Sequence, residues 1–198
     1  MWYSQLGQDK DVVEFYNGKK NGYFIEIGAN NGITLSNTYA LETQYGWTGI
    51  CVEPIPQRFQ ECKQNRPNSI CFPYAVYSRG NTIVKFNIET HDLLSGINQK
   101  FSLLNRSKRI LVETRTFQQV LQEANAPSRV DYLSLDTEGT ELEILKSVNL
   151  NEYTFGMITV EHNFQQPKRS ETRSFLESNG YTFLKENQWD DVFIKNNL

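Results

Sequence analysis

Short runs of alternating or continuous apolar residues recur along the chain, and most are followed by a stretch whose apolar positions return at helical spacing. The first such run predicts a strand over Phe24 to Ile27, and the next over Gly49 to Pro54. Further strands are expected at Ile70 to Val76, Thr82 to Ile88, Arg109 to Glu113, Val130 to Leu135, Met157 to Val160, Tyr181 to Lys185 and Val192 to Lys195. Pro73 is awkward inside a central strand, so the third run reads as an edge strand or one with a bulge. Helical spacing covers Thr38 to Tyr45, which stops at Gly46, and Gln57 to Gln64. Thr116-Phe117-Gln118-Gln119 fits a capping box that opens a helix to Ala124, and Thr140-Glu141-Leu142-Glu143 fits a second that opens a helix to Val148. A last helix runs from Ser170 to Asn179 and closes at Gly180. From Glu89 to Lys108 no period persists, and so long an irregular stretch in a compact domain is usually functional, which marks it as a substrate-side loop.

Strands alternating with helices argue for an α/β fold, a doubly wound parallel sheet that binds its ligand at the carboxyl ends of its strands. Glu26, Glu53, Asp136 and Glu161, with His162 and Asn163, all sit at predicted strand ends and are expected to converge on one rim. With 198 residues and 38% hydrophobic content the chain can fill one core, so residues 1–198 read as a single domain with an N-terminal cap segment over residues 1–20. A net charge of −3 and short, interrupted basic spots give no stripe for a nucleic acid. No apolar run reaches bilayer length and no leader-like segment opens the chain, so no membrane association and a cytoplasmic location are expected. The three cysteines, Cys51, Cys62 and Cys71, form no C-x-x-C pair and are expected to be reduced and mostly buried.

The run FIEIGANNG carries the most chemistry. Gly28 ends the first strand and Gly32 closes the turn, a backbone arrangement that lets a ligand approach closely. No Lys or Arg occurs between Lys20 and Arg58, and Glu26 stands just before the loop, so a pyrophosphate would be repelled. Dinucleotide loops space their glycines differently and seat the pyrophosphate on a helix N-terminus. A sulfonium cofactor that also carries an ammonium group suits the acidic loop better. Glu53, at the end of the second strand and about 20 residues further on, is placed to hold a ribose diol.

Taken together, SQLGQD, FIEIGANNG, CVEP, VDYLSLDTEGTELEIL and ITVEHN resemble, in order and over residues 3–195, the FkbM family of S-adenosylmethionine-dependent methyltransferases. The resemblance implies the class I (Rossmann-like) methyltransferase fold, a seven-stranded, mostly parallel sheet with its last strand antiparallel and helices on both faces. It implies S-adenosylmethionine as cofactor and a hydroxyl acceptor, often on a sugar, glycan or polyketide. By position, Glu26, Gly28, Ala29, Asn30 and Gly32 would cradle the methionine part, Glu53 the ribose, and Ala75 would lie near the adenine. Gln5 and Asp9 would close over the cofactor or line the acceptor entrance, and Asn30 takes a place that tolerates a left-handed backbone.

Methyl transfer to a hydroxyl needs alignment and a proton acceptor. His162 is a candidate base, and Asp136 and Glu138 form a second candidate pair, with Asp136 also beside the expected sulfonium. An alternative places Mg2+ on Asp136, Glu161 and Asn163, where it would acidify the hydroxyl. Trp2-Tyr3 and Trp189-Asp190-Asp191 offer flat faces beside polar groups, as sugar sites do, and the expected partner is a small-molecule or glycan acceptor. Rival readings are a nucleic-acid methyltransferase, which in the common amino-methylating type would show N-P-P-Y where this chain has Asp136-Thr137-Glu138-Gly139, a nicotinamide-dependent oxidoreductase, and a catalytically silent cofactor-binding domain.

Overall fold

The computed structural model describes residues 1–88, 95–97 and 108–197. Along the chain it forms α1 (Gln8–Phe15), β1 (Tyr23–Ile27), α2 (Tyr39–Tyr45), β2 (Thr48–Val52), α3 (Pro56–Asn65), β3 (Ser69–Phe72), β4 (Ala75–Val76) and β5 (Ile83–Ile88). Then come β6 (Lys108–Arg115), α4 (Phe117–Glu123), β7 (Arg129–Leu135), α5 (Glu141–Leu145), β8 (Thr154–Glu161), α6 (Lys168–Ser178), β9 (Tyr181–Asn187) and β10 (Asp190–Lys195).

Seven strands make one sheet in the order β3-β2-β1-β7-β8-β10-β9. Pairing is parallel from β3 through β8, and β10 runs antiparallel to both its neighbours. This is the class I methyltransferase arrangement. The order reverses next to β1, where β2 continues to one side and β7 to the other, and such a switch opens a crevice at the strands' carboxyl ends.

Alternation along the central strands feeds two cores. Ile25, Ile27, Ile50, Val52, Leu133 and Leu135 pack with Phe117, Val120 and Leu121 of α4, Ile144 and Leu145 of α5, and Leu176 of α6. Phe24, Cys51, Tyr132 and Met157, pointing the other way, pack with Val12 of α1, Leu41 of α2 and Cys62 of α3. A strand buried on both faces must be apolar at successive positions, which is why these segments read as continuous runs.

Three expectations change. The run from Ile70 to Val76 is two strands: β3 is the half-exposed edge of the main sheet, and beyond Pro73 the chain crosses into a second, three-stranded sheet ordered β4-β6-β5. The proline has no N–H for a ladder, so the strand ends there. Thr140 makes no side-chain cap, and α5 spans only Glu141–Leu145 rather than running to Val148. Helix α1 had no sequence signal because its inward face is largely polar: Gln8 and Asp9 are buried alongside Val12. Gln8 donates to Asp190 at 2.7 Å and accepts from the Leu6 N–H at 2.8 Å, which ties the N-terminal segment to β10. All three cysteines are free, two of them buried. Among the described residues no helix is long and apolar enough to cross a membrane.

Candidate active site

Where β1, β2 and β7 end, a partly open cavity lies between the main sheet and the small one; its empty space, counting the part open to solvent, is about 630 Å³. One end is apolar, built from Val52, Ile55, Tyr74, Ala75, Val76 and Phe86. The other end carries Asp136 and Glu138, with Gly28, Asn30 and Glu53 between the two.

Gly28 has φ 92°, and a Cβ there would lie 1.9 Å from the carbonyl oxygen of Asp136. The glycine therefore lets the ends of β1 and β7 close on each other as well as baring the backbone to the cavity. Asn30 follows in the left-handed region, at φ 47°. Its N–H donates to Glu53 Oε2 at 2.8 Å, while Glu53 Oε1 accepts from the Ile55 N–H at the same distance. Glu53 is thereby fixed at the mouth between β1 and β2.

The acidic end is built by the turn after β7. Glu141 Oε1 accepts from the N–H groups of Thr137 and Gly139 at 3.0 and 2.9 Å and from the Thr137 hydroxyl at 2.9 Å. It does the work expected of a cap, but on the turn rather than on the first N–H groups of α5. Glu138 is held at φ 59°, a left-handed conformation costly for a side chain of this kind, and its Oε2 accepts from the Asn163 amide at 3.1 Å. One carboxylate oxygen each from Asp136, Glu138 and Glu161 lie within 4.8 Å of one another, and Glu161 Oε2 is buried with no hydrogen-bond partner. Asp136 is exposed to the cavity, yet the protein walls around it, together with the charges of Glu141, Asp190 and Glu26, outweigh a hydrogen bond to Glu161 and lift its pKa to about 7. Burial and the neighbouring Asp136 and Glu141 push Glu138 up to about 8. Glu161 is driven up by burial and by the charges of Asp136 and Glu138, so it is protonated at neutral pH.

Other expected residues lie elsewhere. Glu26 turns to the α2–α3 face, where it accepts from the Ser36 and Thr38 hydroxyls, the Asn37 N–H at 2.7 Å and Arg66 at 3.2 Å. It shapes the chain after the glycine loop and does not line the cavity. Gly32 abuts Arg66 and Cys62, and Ala29 is buried in the core of that same face. Gln5 is exposed and outside the cavity lining, and Asp9 is spent on the Tyr3 and Ser4 N–H groups at 2.7 and 3.3 Å. His162 belongs to a neighbouring smaller cleft: its Nδ1 accepts from the Phe164 N–H at 3.0 Å, and Nε2 faces Asp191 at 3.4 Å. Burial lowers its pKa. Asp191 is clamped by Arg169 and Arg173, and Trp2, Tyr3 and Trp189 do not line the cavity. The single rim expected is thus divided among three places: Glu53 and Asp136 at the cavity, His162 and Asn163 at the smaller cleft, and Glu26 on the face of β1 that packs on α2 and α3.

The cavity also uses residues with weak sequence signals. Tyr74 and Ile55 could have been found as neighbours of Ala75 and of the Glu53-Pro54 strand stop. Ser95 and Ile97 line it from within the stretch read as a substrate-side loop, of which residues 89–94 and 98–107 lie outside the described residues. Arg66, fully buried, had no signal beyond its place at the end of a helix.

The sequence of residues 26–183 matches the model of the methyltransferase FkbM domain. The chain belongs to the FkbM methyltransferase family. The FkbM chain is accordingly an S-adenosylmethionine-dependent methyltransferase. No curated protein matches it. Solved structures share the fold. One, described as a caffeoyl-CoA O-methyltransferase from Staphylococcus aureus, has a TM-score of 0.55 at 12% identity over 99% of this chain and 86% of that one. The METTL16 methyltransferase domain has a TM-score of 0.53 at 12% identity over 95% of this chain, which spans 64% of that domain's length. PH1948 from Pyrococcus horikoshii, described as an RNA methyltransferase, has a TM-score of 0.52 at 10% identity over 96% of this chain and 83% of that one. At such identities the likeness is one of fold alone.

Proposed function

We propose that this FkbM protein transfers the methyl group of S-adenosylmethionine to a hydroxyl of a sugar or glycan. The supporting observation is one cavity that is apolar at Ala75 and crowded with carboxylates at Asp136 and Glu138. The adenine takes the apolar end, Glu53 the ribose hydroxyls, and the bare backbone at Gly28 and Asn30 the methionine part. The sulfonium lies toward Asp136, where positive charge relieves the repulsion among the acids. S-adenosylmethionine bound there would supply its methyl group to the acceptor oxygen and leave as S-adenosylhomocysteine, uncharged at sulfur. Glu138 takes the hydroxyl proton, since a base titrating near neutral pH suits this task. The carboxylates disfavour a phosphate-rich acceptor, which argues against nucleic acid. The free thiols suit a reducing, cytoplasmic setting.

Glu138→Gln keeps the shape and removes the base. With labelled methyl donor and a panel of sugars and glycosides, it should lower kcat by roughly 10²-fold or more while the donor's Kd changes little. Unchanged turnover would remove Glu138 from this role. A divalent ion on the acid trio is a second reading, favoured by the mutual closeness of Asp136, Glu138 and Glu161. Glu138 then replaces Asn163 in the expected ligand set, because the Asn163 amide nitrogen is directed at Glu138. This reading expects activity to vanish on exhaustive chelation and return with Mg2+; activity that persists eliminates it.

A further inference from the structure

The chain has three cysteines, contributed by three different elements: Cys51 by β2, Cys62 by α3 and Cys71 by β3. Their sulfurs nevertheless meet, each Sγ lying within 4.8 Å of the other two. Cys51 and Cys71 are register partners on adjacent parallel strands, so both side chains leave the same face of the sheet. Cys62 comes down on them from α3, and its Sγ is 3.9 Å from that of Cys71. Filling this part of the core would need only apolar volume, which Ala or Val supplies, and it would not need every thiol in the chain at one point.

We propose that Cys51, Cys62 and Cys71 form a binding site for one soft, thiophilic d¹⁰ metal ion, with copper(I) favoured over zinc(II). Thiolate sulfur is the ligand type that selects such ions. A metal about 2.3 Å from each of three sulfurs in a plane sets those sulfurs about 4.0 Å apart, the bond length times √3. The separation of Cys62 and Cys71 already matches. Zinc in structural sites takes four ligands, and among the described residues no histidine or carboxylate joins this group. Three sulfurs alone suit copper(I). Cys51 and Cys62 are buried and Cys71 is partly exposed, so the ion enters past Cys71 at the edge strand β3. The site lies under the cofactor loop: a Cβ on Gly32 would come 3.1 Å from Cys62 Sγ, and Cys51 is two residues before Glu53. Occupancy would pin α3 to the sheet beneath that loop.

The test uses the full chain, reduced by a phosphine and freed of metal. Copper(I) is titrated in competition with bicinchoninate, and zinc(II) separately against a chromogenic chelator. One equivalent of copper should bind, with a near-ultraviolet thiolate-to-copper absorption band and protection of the thiols from iodoacetamide. Cys71→Ser, at the partly exposed position and with folding checked by circular dichroism, should weaken copper binding by roughly tenfold or more. Zinc bound more tightly than copper would overturn the preference for copper. Copper uptake unchanged in Cys71→Ser, or alkylation of all three thiols at the same rate with and without copper, would overturn the site itself.

Discussion

Arg66 decides more of this molecule than any residue in the cavity. It is fully buried, and its Nε donates to Glu42 at 2.6 Å while Nη1 reaches Glu26 at 3.2 Å and Nη2 the Thr38 hydroxyl at 2.8 Å. A second Nη1 contact, 3.2 Å to the Gly32 carbonyl, connects it to the end of the glycine loop. Buried pairs of this kind contribute little net stability when intact, yet removing one partner leaves an uncompensated charge. Arg66→Met keeps the apolar stem and strands both Glu26 and Glu42. It should cost about 3–5 kcal/mol, a fall in Tm of roughly 6 to 20 °C for a domain of this size. Thermal unfolding without ligand reads it directly, and a Tm within a degree or two of the parent would show that the two glutamates find other partners. Glu26 acts through this network on the shape of the loop.

At the scale of elements, two similar sequence signals have different outcomes. Thr116 and Gln119 form the reciprocal box: Gln119 N–H donates to the Thr116 hydroxyl at 3.2 Å, and Thr116 N–H to the Gln119 side chain at 2.9 Å. Thr140 and Glu143 do not, because Glu141 takes over the turn at residues 137–139 and Glu143 Oε2 is left buried without a partner. Thr116→Ala should therefore cost about 1 kcal/mol, whereas Glu143→Gln should leave stability unchanged or raise it; a urea unfolding series compares the two, and equal losses would contradict the contrast. The same distinction explains what could be read in advance. Strands β1, β2, β7 and β8 were legible because burial on both faces demands continuous apolar runs; Gly28 and Glu53 followed from their places at strand ends, and Asn30 and Ala75 from the family resemblance. What stayed hidden depends on side-chain direction and polar burial. Helix α1 hides behind Gln8 and Asp9, the turn of Asp136 to Gly139 depends on a glutamate folding backwards, and His162 occupies a strand end whose hydrogen bonds direct it to a different cleft.

For the molecule as a whole, the acid cluster makes both stability and ligand binding depend on pH, with opposite signs. Asp136 titrates near 7 and Glu138 near 8 in the folded chain, against about 3.9 and 4.3 for free carboxyls. Both folded values are raised, so across this interval the native state holds protons that the unfolded state has released. The stability they contribute is complete below about pH 4 and is lost as pH climbs through the folded values to about 8. A cation placed among the acids favours their ionised form, so its binding expels the protons and strengthens over the upper part of the same window. S-adenosylmethionine carries a positive sulfur, whereas the sulfur of S-adenosylhomocysteine is neutral, and the two share every other group that could titrate on binding. The ratio of their affinities therefore isolates the sulfonium. It should shift toward S-adenosylmethionine between about pH 6 and pH 8.5, by up to tenfold per pH unit for each proton released. Calorimetry in buffers of different ionisation enthalpy should count more protons released by the donor than by its demethylated product. A ratio that stays flat over this range, with equal proton counts, would mean that the sulfonium lies away from Asp136 and Glu138, and the carboxylates would then need another cation or an acceptor group to justify their crowding.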